Sequence, residues 1–432
     1  MRSSVRPLHL FENTRRLGML TRTASGLALQ YDPEWLAWEG ATPVSLSLPL
    51  EPAGHRGERV LRFLDNLLPD SEGMRARLAV RVDAPDTHPY TLLACLGRCS
   101  AGALTFVPDG EDPGPPGAVP GTSISDEEVA RLVSELDRRP LGVGPRFRIS
   151  LAGAQRKTAL LFADGIWQLP LGFTPTTHIL KPRIGVLPGV DFSRSVENEF
   201  LCLRVASAFG LDVAPARVRD FQDVRVLVVE RFDRRWTDDG RLLRIPHEDF
   251  AQALAVPAGR KYEMDGGPGM RRLLGLLEGS VCSEADRRSF LRAQIVFWLL
   301  AAIDGHAKNY SLRLLPGGRF RLAPFYDVVS VQPALTAGGL PQDEAMMSLA
   351  VGNREFRAVA QIGPEHFVES GRAAGVPARA VRGLFAELVD IRAGAFETVR
   401  ASLPEDFPPA MEAAIFDAVT VRLQQVERYL AE

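Results

Sequence analysis

The sequence predicts an α+β chain in which a β-rich lobe precedes a helical one, and three observations carry that expectation. Short β-rich runs separated by turns fill residues 147–230. Beyond Arg235, long segments place apolar residues at helical spacing. A stretch dense in proline and glycine, PDGEDPGPPGAVPGTS from Pro108 to Ser123, sets both apart from a mixed N-terminal segment. Its composition sustains neither a helix nor a central strand.

Each element has its own signature. Leu10 to Tyr31 alternates apolar and polar residues in short runs, as in a hairpin or small sheet. Val60–Leu67 and Met74–Val80 read as helices parted by the turn-like Leu-Pro-Asp-Ser. Ser125 followed by Glu128 forms a capping box ahead of Val129, Leu132, Val133 and Leu136, and Pro140 closes that helix. ISLAG, TALLFADGIWQLP, THILKP and VRVLVVE read as strands. Among them one helix runs from Ser195 to Phe209 and is closed by Gly210. Ala285–Ala302, Pro377–Ser402 and Pro409–Leu430 complete the helical part. The expected division is an N-terminal subdomain at 1–107, a linker at 108–123, a small lobe at 124–232 and a helical lobe at 233–432. No internal repeat is present.

Composition narrows the class. With 432 residues, 46% hydrophobic and 24% charged, the chain suits two or three packed globular domains. Its 51 basic and 53 acidic residues give a net charge of -2, which argues against a dedicated nucleic-acid coat. The opening MRSSVRPLHLFENTRRLG lacks the apolar core of a secretory signal, and the apolar run Ile295–Ile303 is too short to span a bilayer. A cytoplasmic location without membrane partners is the expectation. The cysteines, Cys95, Cys99, Cys202 and Cys282, complete no zinc pattern and read as ordinary reduced thiols.

The most informative stretch is Ala302-Ile-Asp-Gly-His-Ala-Lys-Asn-Tyr-Ser, a loop from a long apolar helix into the alternating run Tyr310–Leu315. Asp304 and Asn309 have the spacing of a kinase catalytic loop, where aspartate accepts a hydroxyl proton and asparagine holds a metal ion. Alone, the same spacing reads equally as a turn cap and a loop amide. Asp327 follows the strand-like Arg319–Ala323, where kinases place their Mg²⁺-chelating aspartate, although Val328 and Val329 replace the Phe-Gly of the usual triplet. Lys181 ends the strand His178-Ile-Leu-Lys and is placed to neutralise phosphate charge; Glu197 and Glu199 follow on a helix, and Glu199 is the expected ion-pair partner. Ser150-Leu-Ala-Gly-Ala-Gln-Arg-Lys carries small residues that let backbone amides approach phosphates, but it is no Walker A sequence. Val224–Val229 is a buried strand leading into Glu230-Arg-Phe, where a hinge would meet adenine. Each signal is weak singly; their order along the chain is the one kinases require.

The segments SLAGAQRKTALL, TPTTHILK, ENEFLCLRVASAFGL, VERFDRRW, DGGPG, DGHAKNYS and PFYDVVS resemble the HipA family of bacterial kinase toxins. The N-terminal SLSLPL and FLDNLLPDS and the C-terminal SLPEDFP also match, so the likeness covers essentially the whole chain. It implies a two-lobed protein-kinase-like fold with an extra N-terminal α/β subdomain and a large all-helical C-terminal lobe. It implies that Asp304 is the catalytic aspartate, that His306, Ala307, Lys308 and Asn309 complete its loop, and that Asn309 and Asp327 hold Mg²⁺. Lys181 resembles the ATP-phosphate lysine; Leu151, Ala152, Gly153, Ala154, Gln155 and Arg156 the phosphate loop; Glu230, Arg231 and Phe232 the adenine hinge; and Ser150 the autophosphorylated serine.

The resemblance further implies a toxin neutralised by a small HipB-like antitoxin, contact with operator DNA mainly through that antitoxin, and an aminoacyl-tRNA synthetase, such as the glutamyl enzyme, as substrate. The family's basic cluster is short here, with only Arg354 and Arg357 in Gly352–Arg357, which weakens the expectation of direct DNA contact. Two other readings stay open: a corepressor subunit acting with the antitoxin, and a small-molecule kinase on the same plan.

Overall fold

Alternating apolar residues build the first sheet. In the computed structural model, which describes residues 6–113, 119–143, 147–153, 155–187 and 190–432, β1 (Leu8–Glu12), β2 (Arg15–Thr23) and β3 (Gly26–Tyr31) form an antiparallel meander. β4 (His55–Arg56) and β5 (Leu104–Pro108) flank it, giving the order β4-β3-β2-β1-β5. The register sets Leu20 between Leu8 and Leu29, and all three point into one core. The helices Glu58–Asn66 and Pro89–Leu96 add Phe63, Leu64, Leu92 and Leu93 to that core. Ser71 caps the helix Glu72–Arg81 by accepting the Met74 N–H, which explains why the Leu-Pro-Asp-Ser turn ends there.

The second sheet contains β6 (Gly121–Ser123), β7 (Thr158–Ala163), β8 (Ile166–Pro170) and β9 (His178–Pro182), with the strands Ala216–Phe221 and Val224–Glu230 beyond β9. The β7–β8 turn uses Asp164 and Gly165, both at positive φ (53° and 77°), the backbone a two-residue hairpin with right-twisted strands needs. The capping box at Ser125 and Glu128 is present, and Val129 and Val133 of the helix Asp126–Ser134 are buried. That helix stops at Ser134, ahead of Pro140, which instead opens a short 3-10 turn.

The run ISLAG is not the strand its alternation suggested. Ser150 gives its N–H to the Cys99 carbonyl (2.9 Å), and Gly153 turns to φ 98°, so the ladder begins only at Thr158.

The chain divides into two units that interleave in sequence: Met1–Pro182 with Arg219–Gly259 and Ser311–Phe320, and Arg183–Val218 with Arg260–Tyr310 and Arg321–Glu432. Both sheets belong chiefly to the first. The second is built on the helices Ser195–Ala208, Ser283–Leu300, Ala378–Arg400 and Pro409–Ala431. Gly210, at φ 82°, ends the first of these, and the Arg292 guanidinium donates to the Phe209 carbonyl exposed there (3.1 Å). Phe396 stacks on Phe416 at 4.2 Å and meets Phe209 edge-on at 6.2 Å, while Arg288 and Arg292 both bind the Glu387 carboxylate. The α+β class read from the sequence is the class observed. Among the described residues no helix is long and apolar enough to cross a membrane.

Candidate active site

The helix Ser283–Leu300 ends because Ala301 takes a left-handed conformation (φ 52°) and Ala302 returns its N–H to the Phe297 carbonyl at 2.8 Å. The chain leaves the helix axis and is pinned at once. Val331 donates to the Ala301 carbonyl (3.0 Å), and Ser348 donates both its N–H and its hydroxyl to Ile303 (2.8 Å each). The Asp304 loop then folds on itself: His306 N–H bonds the Asp304 carbonyl and Asn309 N–H the His306 carbonyl, both at 2.9 Å. Neighbouring segments add the Lys261 carbonyl, which accepts the Ala307 N–H (3.2 Å), and the Tyr326 hydroxyl, which donates to the Lys308 carbonyl (3.1 Å).

Gly305 has a steric role. A Cβ there would lie 2.4 Å from the Tyr310 phenol oxygen, which donates to the Gly305 carbonyl at 3.0 Å. His306, Lys308 and Asn309 are buried, while Asp304 is exposed.

Two expected residues, Asn309 and Asp327, meet here, and a third, Asp304, is held by a residue from another segment. The Tyr262 hydroxyl donates to Asp304 Oδ1 at 2.8 Å, and its ring lies edge-on to His306 at 4.9 Å. Asn309 Nδ2 donates to Asp327 Oδ2 at 3.3 Å, joining residues that are distant in sequence. Asp327 lies beyond the strand Phe320–Leu322 at φ 61°, a backbone state that a non-glycine residue holds only when its surroundings require it. Asn309 Oδ1 is buried and has no hydrogen-bond partner among the described residues. An acceptor left buried without a donor costs about 1–3 kcal/mol, so an amide oxygen in that state beside a carboxylate fits a cation. The donor set suits Mg²⁺, a hard ion that takes one or two protein oxygens and completes its octahedron with phosphate and water.

Sequence reasoning missed Tyr262 and Glu263. The Glu263 carboxylate accepts the Ala350 N–H (2.7 Å) and pairs with Arg357 (3.1 Å), clamping Tyr262 from the next position. Arg357 also donates to the Ser348 carbonyl at 3.0 Å. The guanidinium weighed as a DNA contact is therefore engaged within its own unit, while Arg354 is exposed. A weak signal existed in Lys-Tyr-Glu, which one methionine separates from the Gly-rich DGGPG.

In the first unit, Lys181 is buried near the end of β9, opposite Leu227. Glu199 is buried in the helix Ser195–Ala208 of the second unit. Ser150 has no exposed surface, and its hydroxyl donates to the Leu67 carbonyl at 2.7 Å. Leu151 is buried beside it. Lys157 reaches back to the Ala152 carbonyl (2.8 Å), and a Cβ on Gly153 would sit 2.7 Å from that ammonium. Arg156 pairs with Asp137 at 2.5 Å; Gln155 is half-buried; Ala154 lies outside the described residues.

At the expected hinge Glu230 is exposed, and Phe232 lies edge-on to His247 at 5.1 Å. Arg231 is committed to the fold. Its N–H bonds the Thr177 carbonyl (2.9 Å), and its guanidinium grips both oxygens of Asp233 (2.9 and 2.7 Å) and the Thr176 hydroxyl (2.9 Å). Burial opposes the charge on Asp233, but Arg231 and Arg234 overcome it and hold the carboxyl well below the usual range. Burial pushes His247 down to about 4. Cys99, expected to be an ordinary thiol, is buried among these arginines: burial pushes its thiol up, and Arg244, Arg231 and Arg234 together bring it down to about 7.

The chain is similar to known proteins. The family model described as the HipA-like C-terminal domain matches residues 149–395, and the HipA N-terminal domain model matches residues 8–107. The candidate kinase Y4mE of Sinorhizobium fredii is 35% identical over 404 residues, covering 92% of each chain. The serine/threonine-protein kinase toxin HipA of Shewanella oneidensis is 30% identical over 325 residues, 72% of this chain and 71% of that protein. Among solved structures, the complex of HipA, HipB and operator DNA from Shewanella oneidensis contains a chain that superposes with a TM-score of 0.79 at 25% identity, covering 98% of this chain and 97% of that one. The whole length of the fold and both family models agree, and the chain belongs to the HipA family of kinase toxins.

Proposed function

We propose that this chain is the toxin of a HipBA-type pair and a serine/threonine protein kinase that transfers the γ-phosphate of ATP to a protein hydroxyl. The observation that carries the reading is the meeting of Asn309 with Asp327 directly after the Asp304 loop, with the amide oxygen of Asn309 buried and without a partner among the described residues.

The Asp304 carboxylate orients the acceptor hydroxyl and takes its proton as the oxygen–phosphorus bond forms and the bond to the ADP oxygen breaks. Asn309 and Asp327 would hold Mg²⁺, which when bound neutralises phosphate charge. Lys181 neutralises charge on the α- and β-phosphates. Leu151, Ala152, Gly153, Ala154, Gln155 and Arg156 cradle the phosphates, and Glu230, Arg231 and Phe232 face the adenine; His306, Ala307 and Lys308 keep Asn309 in place. The functional parts follow the chain order, an N-terminal subdomain to residue 107, a linker at 108–123, a small lobe at 124–232 and a catalytic lobe at 233–432.

Self-inactivation through Ser150 has a physical basis. The hydroxyl is bound to the Leu67 carbonyl at a site with no exposed surface. A phosphate carrying about −1.5 to −2 charges cannot return to such a site, so modification would keep the loop out of its present conformation. The Shewanella neighbour is described in complex with HipB and operator DNA, which supports a HipB-like antitoxin partner here and DNA contact mainly through it. The protein substrate we assign is an aminoacyl-tRNA synthetase, such as the glutamyl enzyme, whose modification would stop translation and growth in the cytoplasm. The competing readings, a corepressor without chemistry and a small-molecule kinase, lack a use for the serine at 150.

The test is incubation with Mg²⁺ and γ-labelled ATP beside Asp304→Ala, with the label mapped by mass spectrometry. Label on Ser150 that disappears in the variant supports the proposal. Starting from unmodified Ser150, no protein label in either chain moves the other two readings ahead.

A further inference from the structure

We infer that Tyr262 is a positioning residue for phosphoryl transfer: its phenol fixes the Asp304 carboxylate in the orientation from which it accepts the attacking oxygen's proton. The inference rests on Asp304 being the base, and it adds a residue from a different segment.

Tyr262 is held from every side before it reaches Asp304. Its carbonyl accepts the Gly267 N–H (2.9 Å) and the Asp265 N–H (3.2 Å), closing the turn that follows it. The preceding carbonyl, that of Lys261, takes the Ala307 N–H of the Asp304 loop, and the following side chain, Glu263, is anchored on Ala350 and Arg357. Gly267 and Gly269 allow this packing: a Cβ on Gly267 would lie 2.3 Å from the Arg260 carbonyl oxygen, and one on Gly269 1.8 Å from Glu263 Oε1. The ring is fixed edge-on against His306 at 4.9 Å. Only the hydroxyl then remains to be placed, and it lies 2.8 Å from Asp304 Oδ1.

A carboxylate accepts about four hydrogen bonds, so one phenol on Oδ1 leaves room for a second hydroxyl on the same group. A donor to the charged form has two consequences. It stabilises the ionised carboxylate, lowering the pH at which the base becomes active, and it removes rotation about the bond that aims the carboxylate.

Tyr262→Phe removes one hydroxyl and keeps the ring on His306. The readout is Mg-ATP hydrolysis, with water as the acceptor, measured across pH for wild type, Tyr262→Phe and Asp304→Ala. In that reaction water's oxygen bonds to the γ-phosphorus, ADP leaves, and Asp304 takes the proton. Tyr262→Phe is expected to lower kcat about tenfold, leave the KM for ATP within about twofold, and move the acid limb of the rate profile to higher pH. Equal thermal melting of the two full chains, with the same upward shift on adding Mg-ATP, shows that the variant folds. An acid limb that stays in place, or a kcat that rises because the phenol merely blocks the base, overturns the inference. A wild type no faster than Asp304→Ala instead overturns the kinase reading on which it rests.

Discussion

The loop around Asp304 and the loop around Ser150 are held by different kinds of bond. The first is tied by backbone groups: the Asp304, His306 and Lys261 carbonyls accept the His306, Asn309 and Ala307 N–H groups, and Gly305 is closed over by Tyr310. The second has one backbone tie, the Ser150 N–H on the Cys99 carbonyl, and otherwise relies on side chains, with the Ser150 hydroxyl on Leu67, the Lys157 ammonium on Ala152 and Arg156 on Asp137. A backbone tie yields only to unfolding, whereas a side-chain tie can be cut by one chemical change. On the proposed reading, the difference suits fixed chemistry at one loop and control at the other.

The first way to break that contrast is to remove the metal-holding amide. Asn309→Ala should raise the Mg²⁺ concentration needed for half-maximal turnover about 10–100-fold, with secondary structure unchanged, as a Mg²⁺ titration of ATP hydrolysis would show. A titration identical to wild type would mean that the buried Asn309 oxygen serves only the fold.

A smaller effect is expected at Ser150. Ser150→Ala gives up the bond to Leu67, costing about 1 kcal/mol, and should leave ATP turnover near wild type while removing the self-label. Ser150→Asp puts a charge where there is no solvent. It should release the loop, raise the KM for ATP about tenfold, and open Arg156 and Lys157 to trypsin. If Ser150→Asp were as protease-resistant and as active as Ser150→Ala, control would not lie in this loop.

The smallest effect concerns stability in the first unit. Burial raises Glu248 from its ordinary 4.5 to about 8, against the Leu46 N–H that binds Oε1 at 2.8 Å. The folded chain keeps this proton while the unfolded chain loses it. The contribution is therefore complete below about 4.5 and is lost as pH rises through about 8. Glu12, which burial raises to about 7, acts in the same sense. Glu248→Gln keeps the Oε1 acceptor and should flatten the fall in melting temperature between these limits by a few degrees. A slope unchanged in the variant would place the titration elsewhere.

Much of this was legible in the sequence because the signals were local. The capping box at Ser125 and Gly210 after its helix each act within a turn. Asp304 and Asn309 share a loop, and Asp327 follows within a strand and a turn, so spacing found them. Tyr262 was invisible because its role depends on a contact with Asp304, across a helix that nothing in its own segment announces. The apolar alternation of Ile149 and Leu151 suggested a strand, but both are buried by tertiary packing, with the Ser150 N–H bonded to Cys99 and no ladder. Arg231, read as hinge, and Cys99, read as an ordinary thiol, also sit in a buried cluster with Asp233, Arg234 and Arg244, a tertiary arrangement that spacing does not announce.

The most direct test of the account is single-turnover cleavage of γ-labelled ATP by wild type and Asp304→Asn, each loaded to the same measured ATP occupancy with Mg²⁺. The account predicts equal ATP binding and a loss of about 10²–10⁴-fold in the cleavage rate of the variant. Equal cleavage rates at equal occupancy would contradict it.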